Sequence, residues 1–337
     1  MVPMSLLLAA AVPAPTEMKI FGDWGVACDN GRRCEMTSLI PGESGFADEG
    51  SGDDVFSLSV TRVPGPAGGF VVTVDLRERT TGARTLETDG KPLARLASGQ
   101  TSTEFTGAEA ERIVAAMIQG KQLWLTGGSV KGHVSLAGSS AALRYIDAGQ
   151  GRAGTVTAAV AKGAAPASTV PAAPALPRVQ AVKPAGRPAP ISAALRASMG
   201  KGSDCDKIYV GSSYKPETER HALGGGKTLV LIPCGAGAYN FSTVPYVVTG
   251  GKAVVARFDM APSWGEEGST MLVNASWDAR TGRLTSYAKG RGIGDCGASQ
   301  AYVWDGAMFR LVEARTMGEC RGSVNWLTIW RAEAVAQ

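Results

Sequence analysis

The sequence predicts a mainly β protein with a few short helices (α+β), divided into two domains. The 337 residues exceed the usual size of a single domain. A stretch rich in proline and alanine, 163–190, separates two parts in which short apolar and polar alternations are bounded by glycine-containing turns, as in antiparallel strands. We therefore expect an N-terminal domain of strands and two helices at 17–162. A C-terminal antiparallel β domain, a sandwich or a barrel, should follow at 191–337.

Two strands, 24–28 and 34–40, open the N-terminal domain around a tight turn at Asn30-Gly31. A capping box of Thr106 and Glu109 predicts a helix with one apolar stripe, which Gly120 can end. Alternation, turn residues and small apolar side chains predict the other elements. These are a strand at 70–77, a hairpin at 123–136 and a helix at 140–148.

The C-terminal domain begins with a short helix at 191–199 and continues almost wholly as strands. Glycine-containing turns at 250–251, 281–282 and 305–306 predict hairpins, so successive strands should pair as a meander. The predicted strands are 208–210, 228–234, 246–248, 253–258, 271–277, 284–288, 301–304, 309–313 and 326–331.

The segment 163–190 contains seven prolines among alanines and shows no apolar periodicity. Such a composition predicts a semi-rigid spacer with partly polyproline conformation. An extended spacer would let the two domains move independently.

Residues 1–16 resemble the end of a secretory signal, because the apolar run 6–12 precedes small residues and prolines. Candidate cleavage sites are Ala9-Ala10-Ala11 and Val12-Pro13-Ala14, and a disordered tail is the alternative. No other segment approaches the ~20 apolar residues of a membrane span. The net charge of +4 is spread along the chain, so nothing indicates a nucleic-acid partner.

Six cysteines fall as three sequential pairs, which supports export into an oxidising compartment. Domain boundaries and local turn geometry favour disulfides within each pair. A zinc site is disfavoured because the sequence has no C-x-x-C and neither His133 nor His221 lies near a pair. We expect no metal and no cofactor. The predicted disulfides are Cys28–Cys34, Cys205–Cys234 and Cys296–Cys320.

Two glycine-rich motifs are similar to enzyme motifs. The motif at 224–228 is similar to a phosphate-binding loop, but His221 stands where a glycine is required and a strand follows. A hairpin turn is therefore favoured there. The motif at 294–297 is similar to the nucleophile turn of chymotrypsin-like cysteine proteases, with Cys296 as nucleophile and His221 as base. A disulfide at Cys296 would remove that nucleophile.

Candidate binding residues lie in the C-terminal domain, which holds five of the seven tryptophans. Trp264, in the loop 262–267, is the best candidate for an exposed contact, and Arg291 and Asp295 are the others. In the N-terminal domain, four carboxylates in the loop 48–54 could bind calcium. That loop lacks the alternating spacing of a calcium loop, so a solvated acidic loop is favoured.

Several short motifs, spread over nearly the whole chain outside the linker, jointly carry a family resemblance. They are Phe21-Gly22-Asp23-Trp24, 27–30 with Cys34, Ser135-Leu136-Ala137-Gly138, 141–143 with Asp147, 290–297 and Trp304-Asp305-Gly306. Together they resemble a bacterial envelope family known as domain of unknown function 1176. The N-terminal half is also similar to the invasion-associated locus B proteins. The resemblance implies a periplasmic or surface location in a Gram-negative bacterium and a β-sandwich for the N-terminal half. It implies no catalytic residues.

The sequence thus predicts a periplasmic or secreted binding protein without catalysis, with an envelope protein or a glycan as partner. Two tethered modules and the scarcity of histidine favour binding. The alternative is a periplasmic hydrolase that uses Cys296 with His221, or a carboxylate pair such as Asp278 and Asp295.

Overall fold

A computed structural model describes residues 14–42, 55–79, 81–128, 131–211, 213, 216–262 and 270–336. Within these residues the chain forms several antiparallel sheets and four α-helices. The predicted mainly β class is confirmed. None of the described helices has the length and apolar character needed to cross a membrane.

The N-terminal half is a sandwich of two open sheets. Its strands and helices are β1 (Lys19–Phe21), β2 (Trp24–Cys28), β3 (Cys34–Ser38), β4 (Phe56–Arg62), β5 (Phe70–Leu76), β6 (Arg84–Thr88), β7 (Lys91–Leu96), β8 (Ser102–Thr106), α1 (Gly107–Gln119), β9 (Gln122–Thr126), β10 (Gly132–Ser135) and α2 (Ser139–Gly149). One sheet has the order β1-β2-β3-β4-β5-β8 and the other β10-β9-β6-β7. Apolar residues of both sheets and both helices share one core, among them Trp24, Val72, Leu86 and Ile113. The sandwich that the family resemblance implies is confirmed.

Helix α1 differs from its prediction at one end. Ile113 and Met117 are buried on its apolar stripe, as the sequence predicts, and Thr106 is the N-cap. The Thr106 side chain makes no capping hydrogen bond, so the predicted capping box is wrong. Thr106 is also the last residue of β8, and Gly107, the first residue of the helix, has a left-handed φ of 56°, so the first turn departs from regular helical geometry.

The C-terminal half is a second sandwich. Its elements are α3 (Ala193–Gly202), α4 (Cys205–Ile208), β12 (Glu219–Gly224), β13 (Lys227–Ala236), β14 (Phe241–Thr249), β15 (Lys252–Val255), β16 (Leu272–Val273), β17 (Ser276–Asp278), β18 (Arg283–Lys289), β19 (Gly297–Trp304), β20 (Phe309–Met317), β21 (Leu327–Arg331) and β22 (Glu333–Ala336). Strands β12 to β16 form one sheet and β17 to β21 the other. Leu231 and Val247 of the first pack with Leu284 and Tyr302 of the second. Of the two predicted architectures, the structure has the sandwich.

Two local predictions for this half have opposite outcomes. The glycines after β12 form the turn of the β12–β13 hairpin, so the hairpin predicted at 224–228 is confirmed. The strand predicted at 208–210 is wrong. Helix α4 ends at Ile208 and a turn follows, because Cys205 is tied by a disulfide to Cys234 of β13. All three disulfides join the predicted pairs.

The proline-rich segment 163–190 contacts both halves: Ala165 bridges Thr155 of the N-terminal half, and 178–189 packs on the C-terminal half. Its strand β11 (Arg178–Ala181) pairs in parallel with β22, and Val179 packs against Val303 and Val312. Val170 is buried, and the Ala189 N–H donates to Thr228 Oγ1 at 2.8 Å. The expectation of an extended spacer is therefore wrong, because backbone pairing and apolar contacts fix the segment. The domain boundaries stay a prediction.

The two halves also contact each other directly. Ala27 and Leu39 of the N-terminal half share an apolar cluster with Met317, Trp326 and Leu327 of the C-terminal half. Polar contacts surround the cluster, such as the hydrogen bond from the Thr328 N–H to Glu35 Oε2 at 2.9 Å. In this arrangement the halves are packed together, in contrast to the independent movement expected from the sequence.

Candidate functional site

Arg291 and Asp295, two of the binding residues predicted from the sequence, bind each other. The Arg291 guanidinium donates to both carboxylate oxygens of Asp295, at 2.7 and 2.5 Å. Asp295 Oδ2 also accepts a hydrogen bond from the Gly322 N–H at 2.7 Å. The Asp295 side chain is buried, whereas Arg291 keeps about a fifth of its side chain exposed. The pair therefore fastens the glycine-rich loop to the segment around Gly322, and contact with a ligand stays a prediction.

The electrostatics of Asp295 agree with this structural role. Burial alone would raise the pKa of its carboxyl, but the hydrogen bonds from Arg291 and Gly322 outweigh burial and hold that pKa below its usual value. The ionised carboxylate of Asp295 is thus stabilised by partners within the protein. The third predicted contact, Trp264, and the acidic loop 48–54 lie outside the described residues.

The cysteine hydrolase hypothesis is wrong, because Cys296 is bonded to Cys320 and has no thiol. His221 shares a hydrogen bond of 3.0 Å with Glu219, and its ring lies 6.2 Å from that of Trp277. Asp278, proposed for a carboxylate pair, accepts a hydrogen bond of 2.7 Å from the Thr281 hydroxyl in an exposed turn. Each of these side chains has a local structural role.

A cavity of about 440 Å³ lies between the proline-rich segment and the C-terminal sandwich. One wall is backbone and side chains of 177–180, which include β11, and the opposite wall comes from β20, β21 and the residues beside them. The polar residues of the second wall are Asp259, Asp305, Arg310 and Trp330. Clefts of this size that combine apolar walls with a few charged groups are the usual form of a small-molecule site.

Arg310 lies much closer to one of the two carboxylates of the cavity than to the other. Its Nε donates to Asp305 Oδ2 at 2.6 Å, whereas its Nη1 lies 3.9 Å from Asp259 Oδ2. Asp305 also accepts hydrogen bonds from the Ala307 and Met308 N–H groups, both at 2.7 Å. These bonds overcome the effect of burial and lower the pKa of Asp305. Asp305 is therefore well compensated.

Asp259 is less well compensated. Only 9% of its side chain is exposed, and Oδ1 accepts a hydrogen bond from the Leu311 N–H at 2.9 Å. Burial raises the pKa of Asp259 above its usual value despite hydrogen bonds from the Leu311 and Met260 N–H groups and the charge of Arg310. Burial and the nearby Asp259 charge also raise the pKa of Tyr302. The cavity thus has a desolvated carboxylate in its wall.

Two polar groups near Asp259 lack partners. Among the described residues, neither the Trp330 indole N–H nor the Tyr302 hydroxyl makes a hydrogen bond, although both atoms are buried. A buried polar group without a partner costs about 1–3 kcal/mol, so such groups are rare in folded proteins. Trp330 lines the cavity. Its N–H is itself buried, so the surface that Trp330 offers to a bound molecule comes from its other atoms.

Sequence reasoning did not predict this site. The cavity combines 177–180, Asp259, 305–311 and 330–332, which no local motif connects. The only available signal was the concentration of tryptophan in the C-terminal domain, which includes Trp330.

The fold and the cavity define a disulfide-bonded protein of two packed β-sandwiches, in which the proline-rich segment lines a candidate ligand site. The chain belongs to the family "Protein of unknown function (DUF1176)", whose model matches residues 18–333. The resemblance inferred from the sequence is thereby confirmed.

Two known proteins are similar to this chain. "Uncharacterized protein YpfG" of Escherichia coli (strain K12) is 31% identical over 342 residues, which cover 97% of this chain and 96% of that relative. The crystal structure of invasion associated protein b from Bartonella henselae is 16% identical and has a TM-score of 0.29. The match covers 40% of this chain and 97% of the Bartonella chain. Neither the family nor the Escherichia coli relative YpfG indicates an enzyme class.

Proposed function

We propose that the protein is a periplasmic binding protein that takes up a small molecule in the cavity beside 177–180. The observation that carries the proposal is the wall of that cavity, which combines the largely buried carboxylate of Asp259 with apolar surface from Val179 and Leu311. Three disulfides are compatible with a location outside the cytoplasm. No step of catalysis is part of the proposal.

The test is retention of a ligand by the full-length chain. Small molecules extracted from a Gram-negative envelope are incubated with the protein, unbound compounds are removed by gel filtration, and native mass spectrometry detects what stays. Ala332→Trp should abolish retention, because residue 332 lines the cavity and a tryptophan would fill much of it. Ala334→Trp is the matched control, since residue 334 is exposed on β22 and outside the lining.

The proposal requires that wild type and Ala334→Trp retain the same compound and that Ala332→Trp loses it. Retention of nothing by the wild type, or equal retention by all three proteins, would refute binding in this cavity. The proposed location is tested by fractionating cells that express the chain: the oxidised protein should leave with the periplasmic contents on osmotic shock.

A further inference from the structure

A second cavity, of about 360 Å³, lies at one edge of the C-terminal sandwich. Strand β15 is the last strand of its sheet there, and its Val254 pairs with Val247 of β14, so both side chains are on the same face of the sheet. Val247 belongs to the core between the two sheets, whereas Val254 is 63% exposed. The cavity therefore continues the apolar core to the surface.

Two cations line this second cavity. Lys227 Nζ donates to the Gly306 carbonyl, and Arg257 Nη2 donates to the Ala307 carbonyl at 3.3 Å. Lys227 Nζ also lies 5.4 Å from the centre of the Trp304 ring, which is part of the lining. Because the two carbonyls are adjacent in the turn between β19 and β20, both positive charges converge on that turn.

The charge of these two cations is not neutralised by the protein. Among the described residues, each donates to a carbonyl and neither forms an ion pair. The lining that the structure describes contains no carboxylate, and Asp305 of the same turn is bound to Arg310. An ammonium group has three donors and a guanidinium five, so both cations have donors left for a guest. Charge complementarity therefore favours an anion here, in contrast to the cavity beside 177–180, where arginines face aspartates.

We propose that the second cavity binds a small organic anion, with its charged group at Lys227 and Arg257 and its apolar part against the valines of β14 and β15. A volume of about 360 Å³ suits a compact molecule of this kind. The site is separate from the cavity of the proposed function and does not depend on it. Binding is reversible and involves no chemical step.

Three probes of matched shape test the charge preference: phenylbutyrate, phenylbutanol and phenylbutylamine, titrated calorimetrically into the full-length chain. The wild type should bind the acid at least about tenfold more tightly than the alcohol, because two cations face the carboxylate, and it should bind the amine most weakly. Raising the salt concentration should weaken binding of the acid and leave binding of the alcohol unchanged, because salt screens partly exposed charges.

Substitutions then locate the site. Arg257→Gln should reduce the preference for the acid at least about threefold and leave alcohol binding unchanged, since the amide can still donate to the Ala307 carbonyl. Arg280→Gln removes the same charge from an exposed turn outside the lining and should keep the preference. Ala332→Trp fills the cavity beside 177–180 and should bind phenylbutyrate as the wild type does.

Tightest binding of the amine, equal binding of all three probes, or no binding of the acid at millimolar concentration would each overturn the anion site. An unchanged preference in Arg257→Gln, or an equal loss in Arg280→Gln, would do the same. Loss of phenylbutyrate binding in Ala332→Trp would place the anion in the other cavity and would also overturn the proposal. None of these results decides whether an envelope compound is retained beside 177–180, so the two proposals fail separately.

Discussion

The guanidinium of Arg331 forms an ion pair with the fully buried carboxylate of Asp29. The same carboxylate accepts hydrogen bonds from the Gly31 N–H at 2.8 Å and the Arg33 N–H at 3.0 Å. One side chain therefore holds both the turn inside the first disulfide and the last residue of β21 in the other half. Because Asp29 is shielded from water, the loss of either partner would leave a costly buried charge or dipole.

Removal of this carboxylate should weaken the whole fold. We expect Asp29→Ala to lower the free energy of unfolding by about 3–5 kcal/mol, since Arg331 and two backbone N–H groups lose their acceptor. Urea denaturation followed by circular dichroism measures the change. Asp89→Ala, at an exposed turn, should shift the same quantity by less than about 0.5 kcal/mol. Equal effects of the two variants would show that the contact contributes nothing.

The Asp295 carboxylate should make stability depend on pH in acid. Its folded pKa lies below its usual value, so its stabilising contribution is complete above the unfolded pKa and disappears as the pH falls through the folded pKa. The difference in unfolding free energy between wild type and Asp295→Asn should stay constant from about pH 7 to about pH 5 and shrink below about pH 4. Urea denaturation at a series of pH values measures it. A difference that persists undiminished at the acid end would contradict the assignment.

Two buried arginines should respond in opposite ways to the same substitution. Arg152, 0% exposed, donates to the side chains of Gln150 and Thr157 and to the carbonyls of Val63, Gly65 and Gly68. Arg84, 1% exposed, donates only to the Thr81 carbonyl at 3.3 Å, and its Nε and Nη1 have no partner within the described part of the chain. Arg152→Met takes a donor from three carbonyls, of which that of Gly65 keeps a hydrogen bond from the Gly68 N–H. Arg84→Met removes a poorly compensated charge and keeps an apolar stem.

We expect Arg152→Met to lower the free energy of unfolding by about 3–5 kcal/mol. Arg84→Met should leave the free energy of unfolding unchanged or raise it by about 1 kcal/mol, because the Arg84 guanidinium makes few hydrogen bonds that the substitution could remove. Thermal unfolding of both variants beside the wild type provides the measurement. A strong destabilisation by Arg84→Met would mean that its guanidinium has a counter-ion in solution.

The proline-rich segment should resist proteolysis although its composition is that of a linker. Arg178 is a trypsin site, since Val179 follows it, but β11 is paired with β22 and Val179 is packed against the sheet. Brief trypsin treatment of the oxidised protein should therefore cut slowly there. Val179→Asp should accelerate cleavage at Arg178 at least about tenfold, because a carboxylate cannot replace the apolar contact. Val324→Asp, at an exposed position, is the matched control. Fast cleavage of the wild type at Arg178 would contradict the docked segment.

Local signals were sufficient for much of the secondary structure. The strand Phe70–Leu76 alternates buried and partly exposed residues in the structure, and the two-residue period of its sequence predicts this. The Cys28–Cys34 disulfide follows similarly from a turn that brings two neighbouring strands together. In both cases the residues that interact are close in sequence.

Long-range contacts were not predictable in this way. Strand β11 pairs with β22 across about half of the chain, and seven prolines in the segment suggested the opposite of a strand. Asp259, Arg310 and Trp330 each look like ordinary surface or core residues in their own segments. They become a candidate site only because the sandwich and the docked segment enclose a common space.

The apolar cluster between the two halves has a consequence for how the chain is made. Ala27 and Leu39 leave the ribosome early, but the side chains that cover them, Met317, Trp326 and Leu327, come near the end of synthesis. Until then the nascent chain exposes apolar surface at these two residues that its C-terminal partners cannot yet cover. The chain is therefore expected to need a chaperone that covers this surface during synthesis or translocation. A chain truncated before residue 317 is expected to aggregate instead of folding into a smaller functional protein.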